Sequence, residues 1–114
     1  MRNEAAVKTK ITKELRRRGA WYTMPHQRGY SRPGVPDIVG WFLGTPLAIE
    51  VKYNGNQPSA AQERQLIECE EAGGISLVID EVNLGLLWRW LDYIEVRRDI
   101  NEMGVMAYAT EEVH

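Results

Sequence analysis

Sulfur chemistry has almost no purchase on this chain. Its 114 residues include one cysteine, Cys69, which excludes an internal disulfide and points to a reducing compartment. Long apolar runs are missing as well. No stretch approaches the roughly 20 residues needed to cross a bilayer, and the N-terminus is basic and helical in pattern, without an apolar secretory core. A soluble cytoplasmic protein is the expectation. There is no Walker-type phosphate loop, no CxxC pair, no HExxH and no GxSxG, so nucleotide hydrolysis, zinc chemistry and acyl transfer have no footing. Repeats and low-complexity linkers are lacking too. The length suits one domain, residues 1–114, with room for a single core.

Charge is present, and unevenly spread. Residues 1–52 hold ten Lys and Arg against four Asp and Glu, a net of +6, whereas residues 53–114 carry −8. A basic half on a nearly neutral protein suggests a polyanion footprint confined to one face. A solvated charged helix, balanced elsewhere, accounts for the same numbers.

Residues 3–18 read as a helix capped by Asn3, closed by Arg16-Arg17-Arg18 and stopped by Gly19. Its apolar stripe is Val7, Ile11 and Leu15. Glu4 falls on that inward stripe, although a first-turn glutamate also serves simply as a partner of the helix dipole. Ala20–Met24 is a short strand. The stretch from Pro25 to Gly34 contains two prolines and two glycines and must be irregular. It carries His26, Arg28, Tyr30 and Arg32, side chains of the types that contact phosphates and stack on bases. With Lys8 on the first helix they form the candidate nucleic-acid contacts, a solvated loop being the alternative.

A hairpin follows, Asp37–Phe42 with Leu47–Tyr53, joined by Leu43-Gly44-Thr45-Pro46. With an even number of residues in the turn, Phe42 pairs with Leu47, Val39 with Glu50 and Asp37 with Lys52. All three charges then share one side of the sheet, and an odd turn scatters them. A second helix runs from Ala60 to Ala72 with Ser59 and Gln62 as a capping box, and its inward stripe is Gln62, Leu66, Cys69 and Gly73. Gln62 therefore has a purely structural explanation beside any functional one, and Cys69 reads as a small buried hydrophobe. Ile75–Ile79 is a buried strand. Leu84–Tyr93 is a third helix, apolar over most of its girth. Either it is sandwiched in the core, or Trp88 and Trp90 cover a partner, which suggests an oligomer. Beyond it, residues 104–109 suit a strand and His114 a disordered end.

Two carboxylates from neighbouring strands make an all-oxygen site suited to Mg²⁺, with Mn²⁺ substituting and the Val51 carbonyl and waters completing the shell. Such a metal activates a water against a phosphodiester. Lys52 would position that water or stabilise the pentacovalent phosphorus, and Glu4 would add a ligand or a water contact.

Pro36-Asp37 followed by Glu50-Val51-Lys52 resembles the PD-(D/E)xK nuclease signature. Glu4 in a leading helix, Gly34-Val35-Pro36-Asp37, Ile49-Glu50-Val51-Lys52, and Ser59-Ala60-Ala61-Gln62 leading to Ala72-Gly73-Gly74 occur in order. Across residues 1–82 the chain thus resembles a stand-alone virus-type replication-repair nuclease (VRR-NUC) domain, with residues 83–114 outside the motifs. The resemblance implies an α/β fold with a small mixed sheet flanked by helices. It also implies Asp37 and Glu50 as metal ligands, Lys52 as catalytic lysine, Glu4 as helix-borne acid and Gln62 as active-site glutamine. It further implies a homodimer from a phage or bacterium that acts in DNA repair by cutting branched DNA, including four-way (Holliday) junctions. A catalytically silent nucleic-acid-binding module and a sequence-specific restriction-type endonuclease are the alternatives.

Overall fold

Every local signal in the first helix agrees, and Glu4–Arg17 forms α1. The Asn3 side-chain oxygen accepts the Ala6 N–H at 2.9 Å, Glu4 stands in the first turn, and Arg16 and Arg17 stand in the last. Val7, Ile11 and Leu15 recur every four residues and are no more than 1% exposed, each such burial contributing about 2 kcal/mol. The computed structural model describes residues 3–26 and 32–113, with side chains described through residue 102. Arg28, Tyr30 and His114 lie outside the described residues.

Four strands, β1 (Trp21–Thr23), β2 (Ile38–Phe42), β3 (Thr45–Val51) and β4 (Ile75–Ile79), form one mixed sheet in the order β1-β2-β3-β4. The β1–β2 and β2–β3 pairs are antiparallel and β3–β4 is parallel. The parallel step requires a crossover, which the helix α2 (Ala60–Glu71) supplies. With the third helix α3 (Leu84–Val113) the described residues form an α/β domain of one mixed sheet and three helices. Among the described residues no helix is long and apolar enough to cross a membrane.

The hairpin departs from the sequence expectation in register. Its turn is the two residues Leu43 and Gly44, with φ of 48° and 83°, the left-handed pair that suits the twist of a tight hairpin. Thr45 and Pro46 therefore belong to β3. Pro46 lacks an N–H, which is harmless there because β4 begins only opposite Leu47. Phe42 pairs with Thr45 and Val39 with Ala48, replacing the expected Phe42–Leu47 and Val39–Glu50 pairs. The shift is two residues, so the faces are as expected. Asp37, one step beyond the Ile38–Ile49 pair, stands opposite Glu50 instead of Lys52.

Ile38, Phe42, Leu47, Ile49, Val51, Leu77 and Ile79 join Val7, Ile11 and Leu15 of α1 and Leu87, Leu91 and Ile94 of α3 in one buried cluster. α2 lies on the other face, where the Ser76 hydroxyl donates to the Leu66 carbonyl at 2.7 Å. Of the α2 stripe, Leu66 is buried, Gln62 and Cys69 are half-buried, and Gly73 lies exposed beyond the helix. α3 continues well past Tyr93, through the stretch 104–109 expected as a strand. Met and Ala there are strong helix formers, and extending a helix already nucleated is easier than starting a new strand. Arg18 ties α1 to α3. Its guanidinium meets Glu14 at 2.8 Å, Asp92 at 2.7 Å and Glu95 at 3.4 Å.

Candidate active site

Beyond Ile38 the pairing of β2 with β3 stops, yet β3 continues to Val51. The Lys52 N–H turns toward β4 and donates to the Ile79 carbonyl at 2.9 Å. By alternation the Val51 N–H turns the other way, past the end of the β2 pairing. Asp37 takes that place, its Oδ2 accepting the Val51 N–H at 2.8 Å. This hydrogen bond holds the carboxylate near the plane of the sheet, within reach of groups from either face. The Val51 carbonyl, which points the same way as its own N–H, opens toward Asp37.

From the core side, the Lys8 ammonium on α1 lies 3.3 Å from Asp37 Oδ1. From β3 comes Glu50, 2% exposed and the one charged residue among the fully buried ones described. Glu50 and Asp37 share a hydrogen bond between their carboxyl groups. Burial and the adjacent Asp37 charge push the Glu50 carboxyl up to about 8, while Lys52 pulls the other way. Burial also works against ionised Asp37, but hydrogen bonds from Glu50 and the Val51 N–H, with the Lys8 charge, outweigh it and hold that carboxyl below its ordinary value. The two groups therefore behave as one acid with a single proton on Glu50. Glu50 Oε2 is buried and has no hydrogen-bond partner among the described residues. Such an orphan costs about 1–3 kcal/mol, and a cation bound there would satisfy it.

Lys52, half-buried, follows β3 directly. Its own N–H is bonded to Ile79. Two residues on, the Asn54 N–H is held by both Glu81 carboxylate oxygens at 3.0 and 2.9 Å. The backbone that carries Lys52 is thus anchored on both sides. Glu4, in the first turn of α1, is half-buried and close enough for its charge to act on Glu50. Gln62 forms the full capping box, with its Oε1 accepting the Ser59 N–H at 2.8 Å and Ser59 Oγ accepting the Gln62 N–H at 3.2 Å.

The segment before Asp37 is locked against the start of α2. Gly34 has φ of 77°, and a Cβ there would fall 2.3 Å from the Ala61 carbonyl carbon and oxygen. Only glycine permits that approach. Arg32 pairs with Glu68 of α2 at 2.9 Å, so the loop cation is already bound to a carboxylate. His26 is exposed.

Asp37, Glu50, Lys52 and Glu4 thus come together, joined by Lys8, which the sequence reading placed among the nucleic-acid contacts. Its spacing carries a signal: Lys8 is one turn after Glu4 and three residues before Ile11, at the edge of the buried stripe. Among the described residues no group of three or more His, Cys, Asp and Glu side chains is arranged to hold a metal. Two carboxylates and a carbonyl nevertheless fit Mg²⁺, which keeps several waters and is bound by one or two carboxylates plus substrate phosphate. They do not fit zinc, which favours nitrogen and sulfur ligands. Comparison with protein-family models and with curated proteins finds no match.

Proposed function

We propose that the protein is a Mg²⁺-dependent DNA endonuclease of the VRR-NUC kind within the PD-(D/E)xK superfamily, acting on branched DNA. The observation that carries the reading is the Asp37–Glu50 pair. Two carboxyl groups meet, one fully buried with an orphan oxygen, beside a lysine whose backbone is anchored. A core that needed only stability would use apolar residues there. The order helix, three strands, helix, strand agrees with the core that the resemblance implies.

In this reading Asp37, Glu50 and the Val51 carbonyl hold the metal. When bound, the metal supplies charge to a phosphodiester oxygen and lowers the pKa of a coordinated water. Lys52 orients the attacking water or offsets the charge developing on phosphorus, and Glu4 holds a further water. Gln62 reaches the substrate with its NH₂ group, since its oxygen is committed to Ser59. Selectivity for DNA structure has a separate support. Trp21 and Trp41 stand side by side on paired strands, 61% and 52% exposed with ring centres 6.1 Å apart. Trp41 alternates with Val39 and Asp37, so the indoles share a face with the carboxylate and offer a platform for unstacked bases at a branch point. Tyr93, Val96 and Ile100, exposed along α3, support pairing of two copies.

The test is a panel of labelled duplex, flap and four-way junction DNAs with Mg²⁺ or EDTA. Junction cleavage requiring Mg²⁺ is expected. Lys52→Ala should lower it by about 10²–10⁴-fold with junction binding retained. Wild-type cutting by the Lys52→Ala protein, or cutting in EDTA, refutes the assignment. Discrete bands from plain duplex would indicate a restriction-type enzyme, and tight binding without cleavage a silent module.

A further inference from the structure

The Lys8–Asp37 contact has no part in the chemistry above, and it occupies the very charge that a metal needs. Asp37 Oδ1 faces the Lys8 ammonium at 3.3 Å, with the Lys8 side chain 30% exposed and Asp37 12%. Mg²⁺ binds carboxylate oxygens at about 2.0–2.1 Å. An ammonium and a dication competing for one carboxylate repel strongly, because two such charges a few ångströms apart are poorly screened in a part-buried site. Lys8 can yield. It has a flexible four-carbon stem and an exposed flank, and its backbone is fixed within α1 next to fully buried Val7.

Resting on the metal-site reading, we propose that Lys8 is a built-in monovalent stand-in for the divalent cation. It balances Asp37 in the cation-free protein and leaves for a DNA phosphate once a divalent cation takes that charge. Lys8 is then a positioning residue that couples the two bindings. It weakens the intrinsic affinity for the cation, and it contributes to DNA affinity only when the cation is present. A reciprocal coupling follows, because two ligands linked through one group must aid each other equally.

The test uses the full chain. Mn²⁺ binding without DNA is measured by calorimetry for wild type, Lys8→Met and Lys8→Gln. Four-way junction binding is measured by fluorescence anisotropy in EDTA and in Mn²⁺, with Lys52→Met as the background to suppress cleavage. Lys8→Met, which keeps the stem and the helix propensity, should bind Mn²⁺ about tenfold more tightly. On the Lys52→Met background it should abolish most of the gain in junction affinity that Mn²⁺ brings. Lys8→Gln should behave alike, and thermal melts show that each variant is folded. Mn²⁺ affinity that is unchanged or weaker overturns the proposal, as does equal loss of junction affinity with and without the cation. Should wild type and variants all fail to bind millimolar Mn²⁺, the metal site itself falls, and the proposal falls with it.

Discussion

Replacing Glu50 by Gln separates the energetic burden of the site from its chemistry. In the folded protein the Glu50 carboxyl is pushed from 4.5 to about 8. The stability it allows is fully present below about pH 4.5, where folded and unfolded chains both hold the proton. It is lost progressively as pH rises toward 8, because the unfolded chain ionises freely and the folded one resists. At about 1.4 kcal/mol per pH unit the full shift corresponds to about 5 kcal/mol, and relaxation and water entry reduce the working figure to about 2–3 kcal/mol. Gln has the shape of the neutral acid, can donate to Asp37 and does not titrate. Thermal melts in EDTA should therefore find the two proteins similar at pH 5. By pH 8 the Glu50→Gln protein should lead by about 6–18 °C, taking about 3–6 °C per kcal/mol for a domain of this size. Added Mn²⁺ should stabilise wild type and not the variant, and cleavage should be lost. Parallel stability curves between pH 5 and 8, or a less stable variant at pH 8, would refute the picture of a neutral buried acid.

Gly34→Ala forces a Cβ onto the Ala61 backbone at a positive φ; a loss of about 2–4 kcal/mol should show in chemical denaturation, and a neutral result would mean that the loop does not dock on α2. Arg18→Ala should lower the melting temperature by breaking the α1–α3 bridge. Glu14, held at about 2 by the Arg17 and Arg18 hydrogen bonds, contributes stability above about pH 4.5 that is lost as pH falls toward 2, so the Arg18 variant should be less sensitive to acid in that window. Gln62→Glu keeps the acceptor for Ser59 and should melt near wild type, while Gln62→Ala should lose about 1 kcal/mol; if Gln62→Glu cleaves normally, the residue is a cap alone.

Elements defined by local chemistry were legible in the sequence. α1 has a cap, a stripe and a stop, α2 has its capping box, and β4 is a bounded β-branched run. Parity also came through, since two and four turn residues give the same faces. The register did not. Leu43-Gly44 lacks the Asn-Gly or Asp-Gly signature of a two-residue turn, and Pro46 reads as loop unless the late start of β4 is known. The length of α3 was hidden by an irregular pattern after Tyr93. The Lys8–Asp37 and Asp37–Val51 contacts join segments far apart in the chain, where spacing alone is silent.

Asp37 serves β3 as a prosthetic backbone, filling the gap where β2 ends. Any acceptor of similar length would do that job, so, under the proposed nuclease reading, a relative without catalysis would still be under pressure to keep Asp or Asn there, or leave the Val51 amide bare. Glu50 has the opposite status, since nothing in the architecture is gained from burying it. In such sequences the aspartate is thus a mark of shared construction, and the buried glutamate is the better mark of retained chemistry.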